Sequence, residues 1–308
     1  IRFLRTEKPD IVQTWMYHAD LIGGILSFIF TKSILVWGIR NGSLDDTAPK
    51  RIKLLVKLNA WLSHILPQSI ISCSRFAMNW HSRCGYCRKK LFFIPNGYSS
   101  KKGLLSPAEI RRKKISLGIP QENIVVGSFA RYHPQKNLHG FLDIMKEVHK
   151  KVMNVTILMV GDQVDDTNVE LLQIVRALNL VPCTILLGYR GDVHELNSVC
   201  NVVVSCSTYG EAFQNALAEA LLAGVPCVSS DVGDARELLA NYGKVIPISN
   251  RSELVEHILA YAGMVGQLRN QFSINSHRYI LENYSIQRVA ELYVEHYQNL
   301  LSARLNSH

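Results

Sequence analysis

An α/β fold with two doubly wound, parallel-sheet domains is predicted by three features of this 308-residue sequence. Ten short apolar runs alternate with helix-like stretches along nearly its whole length. The runs lack the polar–apolar alternation of half-exposed strands, so each reads as a strand buried on both faces, with helices between. The runs also fall into two groups, separated by a polar stretch rich in Ser, Lys, Gly and Arg. With 47% hydrophobic residues the chain can fill two cores, which sets disorder aside.

The first group of strands covers residues 10–15, 33–39, 69–74 and 90–94. Its most apolar stretch, 21–39, imitates a membrane span, but Lys32 stands near its middle. A charge there costs about 2.5–3.5 kcal/mol on insertion scales. A buried helix over 20–30 followed by a buried strand accounts for the run better. A second helix is expected over 50–66. Lys50, Lys53, Lys57 and Trp61 share one of its faces, with Leu54 among them, and Ile52, Leu55, Leu58, Leu62 and Ile65 should pack into the core. Pro95-Asn96-Gly97 closes the group, and 98–122 reads as a linker with a helix over 107–117 capped by Ser106. The second group covers Ile124–Phe129, Val155–Val160, 183–187, 201–205, 225–229 and 244–248. No solenoid repeat or low-complexity tract is present.

Charge is unevenly distributed. Residues 1–122 carry 20 Lys and Arg against 7 Asp and Glu, a net of +13, whereas residues 123–308 carry 14 against 18, a net of −4. An anionic partner is therefore expected for the first half only, and an anionic membrane surface fits it. The seven cysteines, an odd number with several in strand-like runs, read as reduced thiols of a cytoplasmic protein. Cys84-Gly85-Tyr86-Cys87 follows a helix rather than opening one, so it lacks the setting of a redox motif, and a single CxxC cannot complete a tetrahedral zinc site. No secretory leader is visible, and the absence of a G-x-G-x-x-G turn after a strand excludes a dinucleotide enzyme.

Ligands of open α/β sheets sit beyond the carboxyl ends of the strands. After Ile124–Phe129 come Arg131 and Lys136, with Asn137 as N-cap of the next helix. Two cations beside a helix N-terminus suit a diphosphate. After 201–205 come Glu211 and, eight residues on, Glu219. Were both helical they would stand about 12 Å apart, too far for a glycosidase pair but suited to one extended ligand touched twice. Phosphates would lie near the N–H groups of Phe213 and Gln214, and a ribose near Glu219. The flanks of Glu219 are apolar, and a carboxylate in such a helix is costly to bury without a partner. Asp45-Asp46 and Asp165-Asp166 read as solvated turns rather than metal sites.

The run from Gly210-Glu211-Ala212-Phe213 through Glu219-Ala220 to Gly224-Val225-Pro226 resembles the Glu-x7-Glu signature of family 4 retaining glycosyltransferases. Arg131 and Lys136 match that family's phosphate-binding cations. Phe93-Ile94-Pro95-Asn96-Gly97 resembles its interdomain hinge, and Asp10 to Trp15 with Tyr17-His18-Ala19 resembles its acceptor-side loop. The resemblance implies two Rossmann-like domains facing a cleft (GT-B): 1–97 on the acceptor side, 98–122 as linker, 123–283 binding the nucleotide sugar, and a C-terminal helix within 284–308 packing back on the first domain. It implies that Arg131 and Lys136 hold the diphosphate, Glu219 the ribose and Glu211 the donor sugar. Gly188-Tyr189-Arg190 would border the base, and His18 would meet the donor sugar or the acceptor hydroxyl. The activity implied is metal-independent transfer, with retention, from a nucleotide diphosphate sugar to a cell-envelope or lipid-linked glycan. It needs no cofactor and no nucleic acid, and it belongs in the cytoplasm or peripherally on the inner face of the membrane. A non-catalytic sugar-nucleotide-binding subunit is the alternative. The family's Gly-rich loop after its first strand has no counterpart here. A first domain lacking its initial βα unit is therefore expected, with activity that depends on that segment.

Overall fold

In the computed structural model, residues 2–45, 47–99 and 102–306 are described, apart from the side chain of Phe3. Asp46 of the Asp45-Asp46 pair therefore lies outside the described residues. Two sheets organise the chain, and every strand pair in both is parallel. The chain divides into one unit of residues 1–97, 209–213 and 284–308, and a second of residues 98–208 and 214–283.

The first unit comprises α1 (Arg2–Glu7), β1 (Ile11–Gln13), α2 (Tyr17–Phe30), β2 (Ile34–Ile39), α3 (Lys50–Leu62), β3 (Ser69–Ser72), α4 (Arg75–Arg83) and β4 (Leu91–Phe93). Its sheet runs β1-β2-β3-β4. The central strands β2 and β3 are buried at every position, while the edge strands β1 and β4 are only partly covered. The apolar stretch 21–39 thus forms α2 and β2, and no helix among the described residues is long and apolar enough to cross a membrane.

One expectation for α3 fails. The helix ends at Leu62, short of the expected 66, Leu58 and Ile65 (in the turn beyond it) are exposed, and the inward side carries Val56, Asn59 and Ala60. The cause is polar: Asn59 Nδ2 donates to the Tyr17 carbonyl at 2.8 Å, which rotates α3 about that contact with α2. Lys90 Nζ, donating to the Ser63 and His64 carbonyls at 3.1 and 2.9 Å, satisfies acceptors just beyond the end of α3.

The second unit contains α5 (Pro107–Ser116), β5 (Ile124–Phe129), α6 (Leu138–Lys151), β6 (Val155–Val160), α7 (Val169–Ala177), β7 (Thr184–Leu186), α8 (Val193–Ser198), β8 (Val202–Ser205), α9 (Asn215–Leu222), β9 (Cys227–Ser229), α10 (Ala235–Leu239), β10 (Gly243–Val245), α11 (Arg251–Ala262) and α12 (Gly266–Tyr284). The segment read as a linker lies in this unit. Its helix α5 opens on a capping box, with Ser106 accepting from the Glu109 N–H and Glu109 accepting from the Ser106 N–H. The sheet runs β10-β9-β8-β5-β6-β7, the doubly wound order, and again the edge strands β7 and β10 are the least covered. The core lies between β5, β6 and β8 and the helices α6 and α11, with Phe141, Leu142 and Met145 fully buried.

The last helix, α13 (Ile286–Leu305), belongs to the first unit. Val289 joins the core of Ile34, Val36, Ile71 and Ile94. Ser69 Oγ meets His296 Nε2 at 2.7 Å, and the Tyr297 hydroxyl donates to Gln13. All seven cysteines are free thiols, and Cys84 caps the end of α4.

Truncating Phe141 to Ala should destabilise the second unit by about 3–5 kcal/mol, the range for emptying a packed aromatic site. Urea unfolding checks this, and a loss below about 1 kcal/mol would contradict a rigid core around α6.

Candidate active site

Because all strands of the second sheet are parallel, their carboxyl ends open at one edge. The order of connections reverses between β5 and β8, which is the topological switch point where such sheets bind ligands. The loops that leave these two strands carry the expected residues. After β5, Arg131 is exposed and donates to Gln135 Oε1 at 3.3 Å. Pro134–Lys136 makes one tight turn and Lys136 is half-buried. Asn137, at φ 48°, caps α6 by accepting from the Gly140 N–H at 3.1 Å. Gly161, following β6, is required by close approach: a Cβ there would stand 2.1 Å from the Ala130 carbonyl oxygen.

After β8, the chain returns to this loop. The Thr208 N–H donates to the Gln135 carbonyl at 2.9 Å, tying the two loops together. Helix α9 begins only at Asn215, so Glu211 lies in the loop and the helical spacing considered from sequence does not apply. The reason is the use made of Gln214. Its side chain accepts from Ser205 Oγ and donates to the Val232 carbonyl, both at 2.9 Å, bracing the loop ahead of the helix. The Phe213 ring packs edge-on against Tyr284, with centroids 5.3 Å apart. Both side chains are therefore occupied structurally, leaving the backbone at the start of α9 for an anion. The first N–H groups of any helix have no intrahelical acceptor.

Glu219 is the one acid of α9, set among buried Leu217, Ala218, Ala220, Leu221 and Leu222. Burial pushes its carboxyl above the ordinary value. It faces a cavity of about 490 Å³, shared with Tyr98, Lys102, Asp192, His194 and Glu195. Tyr98, Ser99 and Lys102 form one wall of this cavity. Tyr98 donates to Asn215 Oδ1 at 2.5 Å, Lys102 pairs with Glu195, and His194 Nε2 meets the Gly103 carbonyl at 2.8 Å. Arg190 stands beside the cavity with its guanidinium turned onto Asp192, two contacts of 2.8 Å. That pair, with Lys113, holds the Asp192 carboxyl well below its usual range.

In the first unit, β1 leads into Met16 at φ 75° and then α2, whose first turn carries His18. Tyr17 is buried. The His81 Nδ1–H donates to the Ala77 carbonyl at 2.7 Å, which leaves Nε2 to accept from the Tyr17 hydroxyl at 2.8 Å. Burial pushes His81 down to about 4, so the ring is neutral. With Tyr17 anchored inward, the adjacent His18 is turned to the exposed side of the helix. Glu211, 7% exposed, is counted in this unit. The Gly42 N–H donates to the Gly210 carbonyl at 3.1 Å, and a Cβ at Gly42 would fall 1.7 Å from the Glu211 carbonyl oxygen. Only glycine permits that approach.

Three residues were missed from sequence. Asp20 is buried in α2, accepts from Thr14 Oγ1 at 2.6 Å, and is pushed up to about 7 by burial. Arg40, ending β2, stacks on Trp15 at 4.3 Å and donates to Asn96 and to the Tyr293 hydroxyl. Gly42 is the third. The signals were present: Asp20 is a lone acid in an apolar helix, as Glu219 is, and Arg40-Asn41-Gly42 directly follows a buried strand.

Residues 122–263 match the family model described as glycosyl transferases group 1. Over 96% of its length the chain is 23% identical to an Escherichia coli UDP-Gal:alpha-D-GlcNAc-diphosphoundecaprenol alpha-1,3-galactosyltransferase, of which it spans 77%. It is 24% identical, over 78% of its length, to the Staphylococcus aureus capsular polysaccharide biosynthesis glycosyltransferase CapM, of which it spans 63%. The structure of Anabaena Alr3699/HepE in complex with UDP-glucose superposes with a TM-score of 0.83 at 24% identity, over 94% of this chain and 79% of that one. The fold is thus the glycosyltransferase fold of two Rossmann-like domains (GT-B).

Asp20 provides a pH signature. Its ordinary value of 3.8 rises to about 7 in the folded protein. The folded state therefore binds a proton that the unfolded chain releases. The stability this brings is complete below about pH 4 and is lost as pH rises to about 7, with a slope of at most about 1.4 kcal/mol per pH unit. Asp20→Asn should remove that slope. Urea unfolding of both proteins at pH 5 and pH 7 should show the wild type losing about 2–3 kcal/mol relative to the variant. An unchanged difference would show that Asp20 is ionised in the fold.

Proposed function

We propose, from the match of residues 122–263 to glycosyl transferases group 1, that this protein is a retaining glycosyltransferase. It moves a sugar from a nucleotide diphosphate to a cell-envelope or lipid-linked glycan. One observation carries the reading: the loop of Arg131 and Lys136 is hydrogen-bonded, through Gln135 and Thr208, to the loop that opens α9 and leads to Glu219. A diphosphate at that junction meets two cations and a helix N-terminus, and a ribose reaches the carboxylate of Glu219.

The chemistry follows from charge. Cleavage of the sugar–phosphate bond leaves the electron pair on the nucleoside diphosphate, where negative charge grows. Preorganised donors aimed at that charge lower the barrier, and here they are Arg131, Lys136 and the N–H groups of Phe213 and Gln214. Glu211, on the sugar side, stabilises the positive character left on the anomeric carbon. His18 would meet the donor sugar or the acceptor hydroxyl, and the loop Gly188-Tyr189-Arg190 would border the base. UDP is the nucleotide to test first, since UDP-glucose occupies Alr3699/HepE and a UDP-sugar is in the name of the E. coli relative. The diphosphoundecaprenol-linked and capsular names of two relatives support this acceptor class, and an enzyme that uses such an acceptor would work peripherally at the inner face of the membrane.

Lys136→Ala and Glu219→Ala should each weaken UDP binding by about 1.5–3 kcal/mol, the worth of a charge-assisted contact, or roughly 10- to 100-fold. Titration calorimetry tests this, and unchanged affinity in both variants would remove the site assignment. Turnover with a UDP-sugar should preserve the anomeric configuration, read by NMR of the product, and should survive EDTA. An inverted product would reject the retaining mechanism.

A further inference from the structure

The first unit exposes apolar surface where a water-soluble face would be polar. On α2, Ile22, Ile25 and Ile29 are exposed at spacings of three and four, with Phe28 beside them at 61%. On α3, Leu54, Leu58 and Trp61 repeat the same spacing, with Leu54 at 68% and Trp61 at 64%, and exposed Ile65 lies in the turn that follows the helix. The two helices pack on each other. Two neighbouring helices thus turn an apolar stripe outward, and stripes of this extent mark interaction sites.

The charges around them identify the partner. Helix α3 contains no acid, and Lys50, Arg51 and Lys57 are exposed on it. The single acid of α2 is buried Asp20. Arg5 stands over the Phe30 ring at 4.8 Å, adding a cation at the far end of α2. Across residues 47–108 the sequence has eleven Lys and Arg and no Asp or Glu. Large apolar side chains with a collar of one charge sign match the boundary between acyl chains and anionic headgroups.

We infer that α2 and α3 together form an insertion surface for an anionic phospholipid bilayer, in which Phe28, Ile29, Leu54 and Trp61 enter the acyl boundary and Lys50, Arg51 and Lys57 stay with the headgroups. This goes beyond electrostatic attraction, because the apolar stripes continue to hold the protein once salt screens the charges. His18 begins the exposed stripe of α2 that continues through Ile22, Ile25 and Ile29. A lipid-linked acceptor held in the same bilayer would be presented along that helix. This last link rests on the acceptor reading of His18, whereas insertion itself does not.

Vesicle sedimentation with the full chain, in the absence of donor and acceptor, tests the inference. Phosphatidylglycerol–phosphatidylcholine vesicles are compared with pure phosphatidylcholine at low and high salt, for the wild type, Phe28→Ser/Trp61→Ser and Lys50→Ala/Arg51→Ala/Lys57→Ala. The wild type should prefer anionic vesicles at least tenfold and retain measurable binding at high salt. The apolar variant should lose at least tenfold at both salts, and the charge variant should lose binding chiefly at low salt. Unchanged circular dichroism and unchanged UDP affinity establish that the variants are folded, and UDP binding by all three proteins is read independently of vesicle binding. Equal binding by the wild type and the apolar variant would overturn insertion. So would absence of vesicle binding together with a dimer in light scattering that Phe28→Ser/Trp61→Ser dissociates, which would assign the face to a second copy of the chain.

Discussion

Parallel pairing is the constraint from which the site follows. A parallel strand can be joined to the next only by a crossover, and here each crossover carries a helix, so all strand ends of one polarity gather at a single edge. In the second unit β5 is central, with β6 on one side and β8 on the other. The loops after β5 and β8 are therefore neighbours although 75 residues lie between the last residues of the two strands, Phe129 and Ser205. This adjacency lets the Thr208 N–H bond to the Gln135 carbonyl, so the loop of Arg131 and Lys136 is tied to the loop that leads into α9.

The same arrangement explains where buried polar groups are tolerated. Ionised groups are costly to bury, so each persists only where something compensates. Asp192 is compensated by Arg190 and Lys113 and stays strongly acidic. Asp20 accepts from neutral donors, the Thr14 hydroxyl and the Gly38 N–H, and burial raises its carboxyl. Glu219 is raised by burial beside a cavity that would admit polar hydroxyls. In the proposed function a ribose diol takes the place of water there and supplies hydrogen bonds that the apolar flanks cannot.

Much of this was legible from residue patterns. Apolar runs without alternation marked the buried strands, and β2, β3 and β6 are buried throughout. Asn137 and Ser106 announced their helices because capping is local chemistry. What failed was long-range. The rotation of α3 is decided by Asn59 reaching the Tyr17 carbonyl, 42 residues away, and no periodicity within α3 contains that contact. Likewise the helical spacing considered for Glu211 and Glu219 does not apply, because Gln214 spends its side chain on Ser205 and Val232 and α9 opens only at Asn215. The place of Gly42 after a buried strand was visible, but its need for a missing Cβ was not, since that arises from backbone more than 160 residues distant in sequence.

The rotation of α3 also changes what the positive charge means. With Leu58 and Ile65 turned inward, the helix would have shown mainly cations with one Trp, a face that lipid charge alone could hold and salt release. With Asn59 inward instead, Leu58 and Ile65 join Leu54 and Trp61 outside, and the cations become a rim around apolar surface. Burial of a polar residue on one side of a helix thereby supplies exposed apolar area on the other. The cost is an outward apolar stripe in water, which is recovered only where that stripe is covered. A surface built in this way favours proteins that work at an interface, and it places the exposed turn of His18 on the helix that meets it.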